Sequence, residues 1–126
     1  MPSSAAARRY AKALFMLAKE DRRVSEVGIE LDTLADLLQE NRELREALLT
    51  PLHPVTERKA VLSSVSELAN MGSVVRNFYS YLIDQRRLVE FYGIREAYQQ
   101  LADEDAGLAT AIVTTASPLD DRSKDR

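Results

Sequence analysis

Apolar residues recur along this chain at the three- and four-residue spacing of amphipathic α-helices, and the pattern predicts six helical segments. Pro51 and Pro54 bracket one break between segments, and Asn41 interrupts another. Together the segments predict an all-α fold, a six-helix bundle over residues 1–106. The segments begin at or just after Ser4, Ser25, Asn41, Thr56, Ser73 and Leu88.

The first and fifth segments carry more apolar surface than a helix on the outside of a bundle needs. The polar residues of the first gather on one side and leave an apolar arc of roughly 200°, against roughly 100° for an ordinary surface helix. The fifth, from Val74 to Ile83, has an arc of similar width. We expect part of each arc to face the core and the rest to flank a shared groove for an amphipathic partner helix. The alternative is that the bundle itself surrounds both helices.

After Gly107 the composition changes, and residues 108–116 are rich in β-branched side chains. This composition predicts a single orphan β-strand. A lone strand cannot satisfy its own backbone donors and acceptors, so we expect residues 107–126 to begin a second domain whose remainder is missing here. The alternative is an extended tail that lies on the bundle. The polar residues 117–126 are predicted to be disordered.

The chain offers little material for catalysis or metal binding. It has no cysteine, and its only histidine, His53, lies in a loop where we expect no acid to orient it. No glycine-rich phosphate loop can be placed on its four glycines. We therefore predict a non-enzymatic protein with no catalytic residue, no cofactor and no metal. No apolar run is long enough to cross a membrane, and neither a secretory signal nor room for a transit peptide is visible.

A second function class is a helical nucleic-acid-binding regulator. Arg8, Arg9 and Lys12 would then form a stripe that faces phosphates. The net charge of −3 and the lack of a recognisable recognition helix argue against this class, so we expect no nucleic-acid partner.

Several stretches resemble the delta subunit family of F-type ATP synthase, which includes the mitochondrial oligomycin-sensitivity-conferring protein. Residues 7–15 (ARRYAKALF) are similar to the family's opening helix, and Lys59 also fits its pattern. Residues 77–78 (NF) and 84–88 (DQRRL) are similar to its fifth helix and the following turn. Residues 113–119 (VTTASPL) are similar to the start of its C-terminal domain.

The resemblance implies a stator subunit that catalyses nothing itself. In this family the first and fifth helices of a six-helix bundle form a groove for the N-terminal helix of an alpha subunit, while the C-terminal domain contacts the b subunits of the peripheral stalk. Family members are usually longer, so we expect this chain to retain binding to the catalytic head, whereas b-subunit contact depends on the second domain. The implied location is the cytoplasmic face of the bacterial inner membrane, peripherally and without direct membrane insertion.

The resemblance also implies which residues bind the partner. It carries the groove onto Tyr10 and Ala13 in the first helix and onto Tyr81 in the fifth. Helical spacing adds further residues on the same two faces: Ala6, Leu17, Val74 and Asn77. On this assignment the opposite edges of the two arcs face the core, with Leu14, Ala18, Val75 and Leu82 among their residues.

Overall fold

The computed structural model describes residues 4–50 and 53–116, with side chains described as far as Leu108. Within those ranges it contains six α-helices, one short 3-10 turn over Leu88–Glu90 and no strand. The all-α, six-helix prediction is confirmed. The helices are α1 (Ala5–Glu20), α2 (Val24–Glu40), α3 (Arg42–Leu49), α4 (Val55–Leu68), α5 (Ser73–Asp84) and α6 (Phe91–Ala116).

Local signals set most helix ends. The Ser4 hydroxyl accepts a hydrogen bond from the Ala7 amide at 3.0 Å and caps α1, and Asn41 caps α3 in the same way. Helices α1, α4 and α5 are each followed, two residues after their last residue, by a residue with positive φ of 56° to 58°, namely Arg22, Asn70 and Arg86. This left-handed residue reverses the chain and lets a following amide satisfy a carbonyl of the last turn.

The predicted strand over residues 108–116 is wrong, because these residues form the C-terminal part of α6. A helix satisfies the backbone donors and acceptors of this segment internally, whereas a strand needs a neighbour. The helix penalty of β-branched residues is only some tenths of a kcal/mol each, and the alanines in this segment favour a helix. Since α6 runs unbroken through Gly107, the domain division at that position stays a prediction. The predicted disorder of residues 117–126 lies outside the described residues.

The long helix α6 forms one side of the bundle, and α1 lies along it in the same direction. The Ser4 hydroxyl donates to Glu90 at 2.7 Å, and Lys19 pairs with Asp105 at 2.6 Å, so both ends of α1 meet positions 86 residues later. Small side chains on α1, including Ala7 and Ala11, are fully buried. They leave room for this close approach between helices.

Polar contacts lock the other helices around this pair. The Tyr98 hydroxyl on α6 donates to the Val24 carbonyl at 2.7 Å and fixes the start of α2. The buried Arg58 guanidinium donates twice to the Leu48 carbonyl, at 2.8 and 3.2 Å, and so joins the last turn of α3 to α4. These contacts hold α2, α3 and α4 in place. The wide apolar arcs of α1 and α5 exceed what the core requires, and their outer parts are described next.

Candidate docking groove between the first and fifth helices

The buried stripe of α1 divides its surface into two flanks. Ala7, Ala11, Leu14 and Ala18 form the stripe. One flank faces α6, because the ring of Phe15 packs against Tyr98 with centroids 5.9 Å apart. The opposite flank, at 100° per residue, carries four residues predicted from the sequence to bind a partner. They are Ala6, Tyr10, Ala13 and Leu17.

Helix α5 has the same two-flank arrangement. Its core-facing residues include Val75, Tyr79 and Leu82, all fully buried. Arg76 lies on the flank next to α4 and donates to the Ser66 carbonyl at 3.3 Å. The other flank, by helical spacing, carries the three remaining residues predicted for the groove, Val74, Asn77 and Tyr81.

The structure brings these two flanks together through a pair of aromatic rings. Tyr10 and Tyr81 meet edge to face, with ring centroids 6.1 Å apart and an interplanar angle of 64°. We name the surface on either side of this pair the α1–α5 groove, defined by Ala6, Tyr10, Ala13, Leu17, Val74, Asn77 and Tyr81. Among these residues, Tyr10 and Tyr81 form a ring contact across the groove. The other five are assigned to the groove because they lie on the same flanks of α1 and α5 by helical spacing.

Apolar groups in and beside the groove remain open to solvent. Leu17 is 50% exposed and Tyr81 is 51% exposed, although both are large apolar side chains. Met16 is also exposed, at 57%, but at 100° per residue it lies between Arg9 and Lys12 on the polar side of α1. Leu14, Ala18, Val75 and Leu82 are each fully buried, so the prediction that their edges face the core is confirmed.

The core side of α5, behind the groove, carries a buried tyrosine that stays neutral near neutral pH. Tyr79 lies one turn from Val75 and is fully buried. Burial raises the pKa of its hydroxyl well above the usual 10.0, and the negative charge of Glu30 raises that pKa further. The phenol therefore stays protonated, and no charge faces the groove from this position. The arrangement suits a packing surface rather than proton transfer.

The groups considered for other chemistry are His53 and the basic residues of α1. His53 is exposed and its Nδ1 lies 2.9 Å from Glu57 Oε1, so the expectation that no acid would orient it is wrong. Arg8, Arg9 and Lys12 are all exposed on α1. Across residues 4–50 and 53–116, no three histidine, cysteine or carboxylate side chains are grouped so that they could hold a metal.

No helix in the described part of the chain is both long and apolar enough to span a membrane. This is also true of α6, which contains 26 residues.

Comparison with solved structures identifies the fold. A chain in a cryo-EM structure of the F-ATP synthase of Polytomella, in rotary substate 2C, superimposes with a TM-score of 0.72 at 22% identity. The match covers 82% of this chain and 93% of the Polytomella chain. A second rotary substate, 2A, gives 0.71. At this level of identity the similarity concerns the fold alone.

Comparison of sequences identifies the family. The delta subunit of ATP synthase from Syntrophobacter fumaroxidans is 40% identical over 92% of this chain, and that of Desulfosudis oleivorans is 37% identical over 90%. This chain spans only 63% and 62% of those relatives' lengths. The model of the family described as ATP synthase delta (OSCP) subunit matches residues 6–126. The chain therefore belongs to the ATP synthase delta (OSCP) subunit family.

Proposed function

We propose that this chain is a peripheral-stalk subunit of F-type ATP synthase and that it docks the N-terminal helix of an alpha subunit in the α1–α5 groove. In this role it links the catalytic head to the membrane-anchored stalk as part of the stator and catalyses no reaction itself. The observation that carries the proposal is the pair of apolar flanks that meet at Tyr10 and Tyr81, 6.1 Å apart, yet leave Leu17 and Tyr81 half exposed.

The side chains of the groove favour a helix as the ligand. Ala6 and Ala13 are small, so a partner backbone can approach α1 closely. Tyr10 and Tyr81 offer a broad apolar face with a polar tip, a combination that is enriched at protein interfaces. An amphipathic helix with apolar residues at i, i+3, i+4 and i+7 fits such a surface. A docked helix of this kind binds at about micromolar affinity or better, or about 8 kcal/mol.

The wider assembly follows from family membership as part of the same proposal. The partners are the alpha subunit of the head and the b subunits of the stalk, and the location is peripheral, on the cytoplasmic face of a bacterial inner membrane. The family resemblance assigns contact with the b subunits to its C-terminal domain, and this chain spans 63% of the length of its Syntrophobacter fumaroxidans relative. No observation on the described residues favours the nucleic-acid alternative, and a mobility-shift titration with duplex DNA is expected to show no binding.

Calorimetric titration of the whole chain with a synthetic peptide of the alpha-subunit N-terminal helix tests the proposal. Tyr81→Asp and Ala13→Glu each place a charge in the groove and are expected to weaken binding about tenfold or more, because the carboxylate loses water on docking. Matched controls are Tyr92→Asp and Ala60→Glu, which change an exposed tyrosine and an exposed alanine on other helices.

The controls are expected to bind like the parent, and all four variants are expected to keep the parent's helical circular dichroism. If the two groove variants bind the peptide as tightly as the controls do, the peptide does not occupy this groove.

A further inference from the structure

A second concave site lies on the opposite flank of α5, between α4 and α5. Its cavity has a volume of about 260 Å³, far above the ~10–15 Å³ that a single water molecule requires. Arg76, on the flank away from the α1–α5 groove, forms part of the wall. The lining residues are Lys59, Leu62, Ser63, Ser66, Arg76 and Ser80. The set contains two cationic side chains, three hydroxyls and no carboxylate.

One of these hydroxyls is buried without a hydrogen-bond partner. Ser66 is 1% exposed, and its Oγ has no partner among the described residues. Serine hydroxyls in this position on a helix commonly bond to a carbonyl of the preceding turn, and this one does not. Buried polar groups are nearly always satisfied, so an unpaired hydroxyl in a cavity wall points to an occupant with polar atoms.

The two cations are held at the cavity with donors to spare. Arg76 donates from Nε to the Met71 carbonyl at 2.9 Å and from Nη2 to the Ser66 carbonyl at 3.3 Å. These two bonds orient the planar guanidinium. The guanidinium has five N–H donors, so others remain that do not bond to these two carbonyls. Lys59 Nζ pairs with Asp84 Oδ1 at 2.7 Å, and its ammonium group has three donors in all.

Two further arginines, Arg58 and Arg86, interact with each other near α4 and the end of α5. The guanidinium of Arg58, the residue before Lys59, has its pKa lowered by burial and then by the positive charge of Arg86. Arg86 follows α5, and its charge lies close enough to Arg58 on α4 to lower that pKa. At the cavity itself, Asp84 offsets the positive charge of Lys59 through their ion pair.

We propose that the cavity between α4 and α5 binds a small tetrahedral oxyanion, with inorganic phosphate or sulfate as the class of ligand. The oriented guanidinium of Arg76 and the ammonium of Lys59 supply charge-assisted hydrogen bonds, and the Ser66 hydroxyl donates to a third oxygen. Leu62 forms the apolar wall. The site is independent of the α1–α5 groove, because the two lie on opposite flanks of α5.

Phosphate titration of the isotopically labelled whole chain, followed by nuclear magnetic resonance at constant ionic strength, tests the proposal. Saturable shifts are expected at the amides of Ser63, Ser66 and Ser80. Lys59→Met and Ser66→Ala are expected to weaken phosphate binding about tenfold and severalfold respectively. The matched controls are Lys19→Met, which breaks an equally short ion pair with Asp105, and Ser64→Ala, which removes an exposed hydroxyl from α4.

The control variants are expected to bind phosphate like the parent. Ser66→Ala is also expected to melt no lower than the parent without phosphate, because it removes an unsatisfied group, so lost binding in this variant does not reflect unfolding. Glycerol 3-phosphate in place of phosphate distinguishes a free ion from a phosphoryl group carried on a larger molecule. The proposal is overturned if shifts fail to saturate, or if all four variants bind phosphate equally.

Discussion

Two buried tyrosines differ in what their hydroxyls bond to. Tyr98 donates to the Val24 carbonyl at 2.7 Å, whereas the Tyr79 hydroxyl is buried with no partner among the described residues. Both rings pack in the core, and each is fully or nearly fully buried. The same chemical group therefore joins two helices at one position and, at the other, is removed from water without a replacement bond.

Replacing each of these tyrosines by phenylalanine is expected to change stability in opposite directions. Tyr79→Phe removes an unsatisfied hydroxyl and is expected to leave the free energy of unfolding unchanged or raise it by about 1 kcal/mol. Tyr98→Phe deletes the hydrogen bond to the Val24 carbonyl in the first turn of α2, so a loss of about 1 kcal/mol is expected. Urea unfolding measures both. An equal loss in the two variants would mean that Tyr79 has a bonding partner such as a buried water.

Helix positions follow from local sequence to different degrees. Helices α1 to α5 begin within one residue of the predicted positions, because caps, prolines and the helical period act within a few residues. The end of α6 was missed because β-branched content is a weak signal, which backbone satisfaction within a continuing helix outweighs. A strand over residues 108–116 would need an adjacent strand to bond with, and the local sequence pattern does not reveal whether one exists.

The groove was predictable in part. The width of the apolar arcs on α1 and α5 indicated surface beyond the core's needs, and burial of Leu14 and Leu82 confirms which edges face inward. The contact between Tyr10 and Tyr81 depends on how α1 and α5 approach each other, which no pattern within one helix encodes. The parallel alignment of α1 with α6 is likewise a tertiary property. The partner-binding role of the groove residues stays a prediction.

Gly107 gives a direct test of the helical C-terminal part of α6. A Cβ built at this position meets nothing within 4 Å, and its backbone is helical. Gly107→Ala is therefore expected to stabilise the local helix by about 1 kcal/mol and to slow amide hydrogen exchange over residues 108–116. Gly28→Ala, in the middle of α2, is the control. It is expected to leave exchange in that segment unchanged, and unchanged exchange in Gly107→Ala would contradict the helix.

At the scale of the whole molecule, α5 divides the surface into two sites. One flank meets α1 at the aromatic pair and forms the apolar groove, and the other lines the basic cavity with α4. Because α5 also contributes the buried Tyr79 and Leu82 to the core, both sites are built on a helix that is anchored in the core. Binding at either site therefore favours the folded bundle, and each ligand is expected to raise the unfolding temperature.

The buried tyrosines also give the stability of the whole bundle an alkaline limit. Burial raises the pKa of Tyr98 to about 12 and that of Tyr79 well above 10.0. In the unfolded chain both phenols ionise near 10. Above that pH the unfolded state releases protons that the folded state still holds, so the free energy of unfolding falls as pH rises. The contribution of Tyr98 is complete below pH of about 10 and is lost as pH passes through about 12.

Urea unfolding at a series of alkaline pH values measures this decline. Tyr98→Phe is expected to be less stable than the parent near neutrality, because it lacks the bond to Val24, yet to lose stability less steeply above pH of about 10. Tyr79→Phe is also expected to lose stability less steeply above pH of about 10, but to be no less stable than the parent near neutrality. Tyr92→Phe, at an exposed ring, is the control and is expected to follow the parent. Parallel curves for all four proteins would mean that ionisation of the buried phenols does not govern alkaline unfolding.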